Sequence, residues 1–214
     1  MTNLASDSED ERRSTRKRRA ILDAAATVFL RNGYRGTSMD EIAALAGVSK
    51  QTVYKHFADK ERLFVEIVTG AVDEVSDPVH AEVLALADSG DVEADLRDLA
   101  RRQLAAVMQP RLLQLRRLVI GEANRFPELG RTFYERGPGR TIAALADAFK
   151  RLAERGVLQL EDPALAAAHF NWLIMSAPIN RAMLLGRDEP LAGGDLEQYA
   201  DGGVRAFMAA YRNP

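Results

Sequence analysis

The sequence predicts an all-α chain: a small N-terminal three-helix unit with helix-turn-helix dimensions, followed by a larger helical domain. Three observations predict it. Alternating β-branched stretches are absent, Ala, Leu, Arg and Glu dominate, and helix-capping signals recur at short intervals. With 214 residues, 47% of them hydrophobic, the chain is long enough to bury one or two cores.

Residues 1–15 are charged, Ser-rich and nearly free of apolar side chains, which predicts a disordered polar and basic arm. The first helix is expected from about Thr15 to Arg31. Ile21, Leu22, Ala25, Val28 and Phe29 share one face of it, and Asn32-Gly33 supplies a left-handed terminator. Ser38 and Glu41 have capping-box spacing and open a second short helix, closed by Gly47. Ser49 caps a third, to about Phe57, and Asp59 caps a fourth that runs through Leu63, Phe64, Ile67 and Val68. Pro78 is expected to break or kink the chain. After the turn Ser89-Gly90-Asp91, helices are predicted at about Val92–Met108 and Pro110–Asn124. The segment Arg136-Gly137-Pro138-Gly139 reads as a loop, and the next helix spans about Arg140–Arg155. Asp162-Pro163 starts another, to about Leu185, with a kink possible at Pro178. The last covers about 196–211. Domain boundaries follow as arm 1–15, helix-turn-helix unit 16–64 and helical domain 65–214.

Composition excludes several classes. No cysteine is present, which removes disulfides and thiolate metal sites. The polar, acidic start lacks the apolar segment of a signal peptide. The longest apolar run, Phe170 to Ile179, is too short for a membrane span and is followed by Arg181. The chain therefore reads as a soluble, cytoplasmic protein that needs no cofactor or metal. The net charge of −2 hides an asymmetry. Residues 12–64 hold twelve Lys and Arg against five Asp and Glu, so a polyanion-binding module fits there. A charge excess this small also fits an ordinary solvated surface.

Within Ser38–Phe57 the two short helices are joined by a three- to four-residue turn containing glycine. Ala43 and Ala46 permit close crossing, while Ile42, Leu45, Val48, Val53 and Phe57 are expected to point inward. Lys50, Gln51, Thr52, Tyr54, Lys55 and His56 are left outward on the third helix. That face carries donors and an aromatic ring but no carboxylate, as suits a helix lying in a major groove. A three-helix core with an ordinary polar face would satisfy the spacing alone.

The stretches Gly36-Thr37-Ser38-Met39-Asp40-Glu41-Ile42-Ala43, Ala46-Gly47-Val48-Ser49 and Thr52-Val53-Tyr54-Lys55-His56-Phe57-Ala58-Asp59-Lys60-Glu61-Arg62-Leu63-Phe64 resemble the DNA-binding domain of the TetR family. The resemblance implies a homodimeric regulator of transcription, with repression as the expected output on double-stranded operator DNA. It implies that Lys50 and Gln51 read base edges. It further implies that Thr37, Ser38, Thr52, Tyr54, Lys55, His56 and Lys60 serve the DNA face, largely by gripping phosphates. The basic run Arg12, Arg13, Arg16, Lys17, Arg18 and Arg19 fits an arm on the minor groove or along phosphates, or equally a solvated helix start.

Leu112–Leu185, through phrases such as Arg117-Leu118-Val119-Ile120-Gly121-Glu122, resembles the C-terminal domain of AefR-like members. The family implies a small-molecule effector site and a dimer interface there. Candidate effector contacts are Met108, Leu112, Leu115, Phe126, Phe133, Tyr134, Phe149, Asn171, Trp172 and Met175, whose aromatic and thioether character suits an apolar or aromatic ligand. Candidate interface residues on the last two helices are Leu165, Ala168, Ile179, Met183, Val204, Phe207, Met208 and Tyr211. Core packing is the competing role for each. The competing function is a helical adaptor of the same fold without sequence-specific DNA binding. Catalysis has little support: His56, His80 and His169 are scattered, and neither a phosphate-binding Gly-rich loop nor HExxH spacing appears.

Overall fold

A computed structural model describes residues 3–185 and 193–213. Apart from one isolated bridge between Leu158 and Arg212, the described residues hold helices and turns and no strand. The chain divides into two compact units. One comprises residues 1–70 with 118–129, the other 71–117 with 130–214. The division thus falls at Gly70 rather than after residue 64, and a segment distant in sequence joins the N-terminal unit.

The first unit contains α1 (Asn3–Gly36), α2 (Met39–Leu45), α3 (Lys50–His56) and the start of α4 (Lys60–Ala85). Helix α1 begins at Asn3, not near Thr15, so helix replaces the expected disordered arm. Residues 3–15 contain neither Gly nor Pro, and acidic residues precede the basic run, an order that suits the helix dipole. The kink falls at Gly33, whose φ of 72° lies in the left-handed region. Gly47 (φ 65°) makes the turn between α2 and α3 in the same way.

Ile21, Ala25 and Phe29 of α1 are buried, as are Ile42, Val53, Phe57, Leu63 and Phe64 from the next three helices. An aromatic cluster closes this core: Phe29 and Tyr34 lie 4.9 and 5.2 Å from Phe64, and Phe126 packs edge-on to Tyr34 at 4.7 Å. Leu45 corrects the inward set, being 53% exposed, and Val48 is only half-buried. Met39, Ile42 and Ala43 occupy the inward stripe of α2, and a residue three beyond Ile42 but two beyond Ala43 falls on its flank.

The second unit holds the rest of α4, a 3-10 turn Leu86–Asp88, α5 (Val92–Val107) and the start of α6 (Pro110–Glu122). It continues with most of α7 (Pro127–Tyr134), a π-type turn Glu135–Gly139, α8 (Arg140–Glu154), α9 (Pro163–Leu185) and α10 (Gly193–Tyr211). Helix α7 is an addition to the expected elements; Pro127 opens it at the first helical position, where the missing N–H costs no intrahelical hydrogen bond. Neither proline ends its helix: α4 passes through Pro78 and α9 through Pro178. Pro78 is exposed, so water can satisfy the carbonyl it leaves unpaired.

Helix α9 packs against α8 and α10, and α10 against α5. Their core centres on Phe149, Phe170 and Phe207, all fully buried, with ring centroids 4.9–5.7 Å apart. Gly203 lets α10 approach α9: a Cβ there would lie 2.8 Å from Ile174 Cγ2 and 3.1 Å from the Leu173 carbonyl. Arg101 of α5 clamps Asp201 of α10 with two hydrogen bonds of 2.7 and 2.6 Å. Among the described residues, no helix is long and apolar enough to cross a membrane, and no cluster of His, Asp and Glu could hold a metal.

Candidate nucleic-acid interface and effector cavity

Side-chain caps fix the two short helices. Ser38 Oγ accepts from the Glu41 N–H at α2, and Ser49 Oγ from the Thr52 N–H at α3, each at 3.1 Å. Ser49 and Thr52 hydroxyls also bond each other at 2.8 Å. With α3 so anchored through Val53, the side chains of Lys50, Gln51, Tyr54 and Lys55 are exposed, Tyr54 at 46%, and Thr52 and His56 are half-buried.

Two details qualify this face. Lys50 Nζ lies 2.7 Å from Asp40 Oδ1 of α2, and that hydrogen bond raises the ammonium pKa; any other acceptor for this lysine would have to displace that carboxylate. Burial lowers the His56 pKa, helped by the nearby charges of Arg18, Lys55 and Lys17, which disfavours the protonated ring. Thr52, Lys55 and His56 also share a surface concavity with Arg13, Ser14 and Lys17 of α1. The basic run therefore sits beside α3 on a helix. Sequence spacing did not reveal Ser14, because its neighbours come from another element.

Two of the expected phosphate contacts also hold hydrogen bonds within the unit, Thr37 buried and Lys60 half-buried. Thr37 is 3% exposed and its hydroxyl donates to the Gly33 carbonyl at 2.7 Å. Lys60 Nζ donates to the carbonyls of Tyr34 and Thr37, both at 2.9 Å, and sits 4.6 Å from the Tyr34 ring centroid. Both side chains satisfy carbonyls freed where α1 ends, a demand that the sequence motif does not display. Ser38 remains exposed, with its hydroxyl hydrogen free to donate.

In the second unit a cavity lies among α4, α5, α6, α8 and α9, with about 50 Å³ open to the centres of water molecules, room for a few waters. Leu112, Phe133, Asn171, Trp172 and Met175 line it as expected. The other candidates do not. Phe149 lies in the aromatic core, Leu115 is buried elsewhere, Met108 packs on the core edge, Tyr134 is exposed, and Phe126 stacks on Tyr34 in the first unit. The reading missed Val72, Val75 and Val79 of α4, together with Val107 and Ile179. It also missed the polar lining, namely Ser76, Gln103, Arg116 and Thr141. Gln103 Nε2 donates to Asn171 Oδ1 at 3.3 Å.

Of the interface candidates, Val204 and Phe207 are fully buried within their own chain, and Ile179 and Met208 nearly so. Val204, Phe207 and Met208 lie on the stripe of α10 that packs in the core against α5 and α9, and Ile179 of α9 lines the cavity, so none of the four offers an exposed side chain. Leu165 is exposed, and Ala168, Met183 and Tyr211 are half-buried. Trp172, Leu173 and Leu184 add exposed apolar surface to α9.

Residues 21–67 match the family described as bacterial regulatory proteins, tetR family. Residues 94–213 match the C-terminal domain of AefR-like transcriptional repressors. A TetR-family transcriptional regulator of Mesorhizobium loti is 46% identical in sequence, with a TM-score of 0.86 over 94% of this chain and 98% of that one. The flavonoid-responsive regulator FrrA is 33% identical, with a TM-score of 0.70 over 92% and 98%. The HTH-type transcriptional regulator YhgD of Bacillus subtilis is 44% identical over 59 residues, 28% of this chain and 31% of the relative. The matched part thus spans about a third of that relative's length.

Proposed function

Because this chain belongs to the TetR family of transcriptional regulators, which are not enzymes, we propose that it is a ligand-responsive repressor. It binds a pseudo-palindromic operator in the cytoplasm as a homodimer and is released by a small effector. The observation that carries the reading is the outer face of α3. Lys50, Gln51, Tyr54 and Lys55 are exposed there beside Arg13 and Lys17 of α1, and donors of this kind are what base edges and phosphates accept. Ser38, at the exposed start of α2, adds a hydroxyl for a phosphate.

A dimer places its two recognition helices about 34–36 Å apart, one turn of duplex. The exposed Leu165, Trp172, Leu173 and Leu184 of α9 are the apolar surface proposed to meet the partner copy. The effector occupies the cavity of the second unit. Helix α4 carries Val72, Val75 and Val79 of that lining and is continuous with the N-terminal end at Lys60. A ligand that tilts α4 by preferring one of its positions would change operator affinity, and a coupling of about 1–3 kcal/mol is enough.

A mobility-shift titration against the promoter of the protein's own gene tests the reading. The wild type is expected to bind with strong salt dependence. Lys50→Ala should weaken the specific complex by on the order of tenfold and relax the preference at one base pair. Thr37→Val, which removes only an internal hydrogen bond, should change affinity less than Lys50→Ala. No shift on any promoter fragment, from a protein that is dimeric and folded, overturns the assignment.

A further inference from the structure

Among the described residues lining the cavity of the second unit, Arg116 of α6 is the one charged group, with no acid beside it in the lining. The guanidinium carbon sits 5.3 Å from the centroid of the Phe133 ring, and Nε is buried without a hydrogen-bond partner. No carboxylate pairs with Arg116 among the described residues. Its pKa is lowered, and burial is the cause. A largely buried guanidinium whose Nε–H has no partner is an unfavourable arrangement that an anion relieves. By contrast, Arg97, Arg101, Arg102, Arg136 and Arg140 of the same unit each hold a carboxylate.

A second polar group is also unmet in the same cavity. Gln103 is 4% exposed, its Nε2 is engaged by Asn171, and its Oε1 has no partner. A buried amide oxygen without a donor calls for a water or a ligand hydroxyl. The remaining walls are apolar: Val72, Val79, Val107, Leu112, Met175 and the ring of Phe133.

Resting on the regulator reading above, which supplies the effector site, we propose that the effector is an organic acid, an apolar or aromatic body whose carboxylate pairs with Arg116. The planar fork of the guanidinium matches a carboxylate with two parallel hydrogen bonds. The ring of Phe133 holds that fork in place from one face. The apolar walls take the ligand's body, and Gln103 Oε1 accepts from a hydroxyl where the acid carries one. Specificity arises because a neutral analogue of the same shape leaves the buried cation as unmet as before.

Calorimetric titration of the full-length protein with benzoate, cinnamate, 1-naphthoate and octanoate, each against its own neutral amide, tests the proposal. At least one acid is expected to bind about tenfold or more tightly than its amide. Arg116→Met should reduce that preference to near parity, and Arg116→Lys, which keeps the charge without the fork, should restore part of it. Thermal unfolding of both variants checks that the fold survives. If Arg116→Met does not fold, the acid-to-amide ratio in the wild type and in Arg116→Lys decides. The proposal is overturned if no acid outcompetes its amide, or if a folded Arg116→Met keeps the preference. Mobility shifts run in parallel separate the two readings. Operator binding without acid selectivity sinks only the organic acid, whereas Arg116-dependent acid binding without operator binding sinks only the regulator.

Discussion

The two units treat their positive charges differently. In the second, arginines are paired across or along helices: Arg101 with Asp201, Arg102 with Glu82, Arg136 with Asp73, Arg140 with Asp77, and both Arg97 and Arg212 with Glu93. In the first, Arg18, Arg31 and Lys50 find carboxylates, but no carboxylate pairs with Arg13, Lys17 or Lys55 beside α3 among the described residues. These six paired arginines of the second unit tie helices together or brace one along its length. A unit that leaves cations facing solvent beside a capped helix holds them ready for an external polyanion.

The comparison is sharpest in the cores, which should respond alike. Phe149→Ala in the second unit and Phe29→Ala in the first each delete a fully buried ring. Each should cost about 3–5 kcal/mol, read as a shift of the urea midpoint. With α1, α2 and α3 contributing so few large side chains, Phe29→Ala is expected to abolish operator binding outright. The next effect belongs to the second unit alone. Gly203→Ala would ordinarily gain helix propensity, yet its Cβ meets the Leu173 backbone, which cannot rotate away. A net loss of about 1–3 kcal/mol is expected, with the melting temperature as readout. An unchanged melting temperature would mean that α9 and α10 are not packed as closely as described.

How much was legible in the sequence follows the same division. The helix-turn-helix could be read because its signals are local: Ser38 and Ser49 cap helices three residues away, and Gly47 turns the chain where it stands. The internal hydrogen bonds of Thr37 and Lys60 were not legible, for the opposite reason. Their partners, the carbonyls of Gly33, Tyr34 and Thr37, are backbone groups that no side-chain motif announces. In the second unit helix spans came through, since Pro163, Gly156 and Asp91 mark their ends, but helix rotation did not. Val204 and Phe207 sit on an apolar stripe that suits a partner's surface and a core equally. Only the packing of α10 on α5 and α9 decides between them. Arg116 and Gln103 escaped notice because a polar residue on a long helix looks solvated until the neighbouring helices are placed.

The charge comparison itself can be broken by removing cations from the first unit. Replacing Arg13, Lys17 and Lys55 together with Gln should leave the melting temperature nearly unchanged, because none holds an internal carboxylate. Operator affinity should fall by on the order of tenfold near physiological salt, and the slope of log affinity against log salt should shrink by up to about three units. A marked loss of stability would show these cations to be structural, and the contrast between the units would disappear.

The smallest effect concerns His56, and its sign distinguishes a phosphate contact from a bystander. In the free protein, burial and the charges of Arg18, Lys55 and Lys17 hold its pKa below the ordinary value. The folded chain therefore resists protonation that the unfolded chain accepts, and this residue's contribution to stability is lost as pH falls through the unfolded value. A phosphate in the concavity that His56 shares with Arg13 and Lys17 acts in the opposite direction and raises the pKa. DNA binding then takes up a proton, so affinity rises as pH is lowered between the free and bound values. One residue can contribute at most about tenfold per pH unit, and a few-fold gain between pH 7.5 and 6 is expected. Measured at constant ionic strength, His56→Gln should flatten that part of the profile while still binding at pH 7.5, because Gln keeps a neutral donor. A profile of equal slope in both proteins would place the ring outside the reach of the DNA backbone.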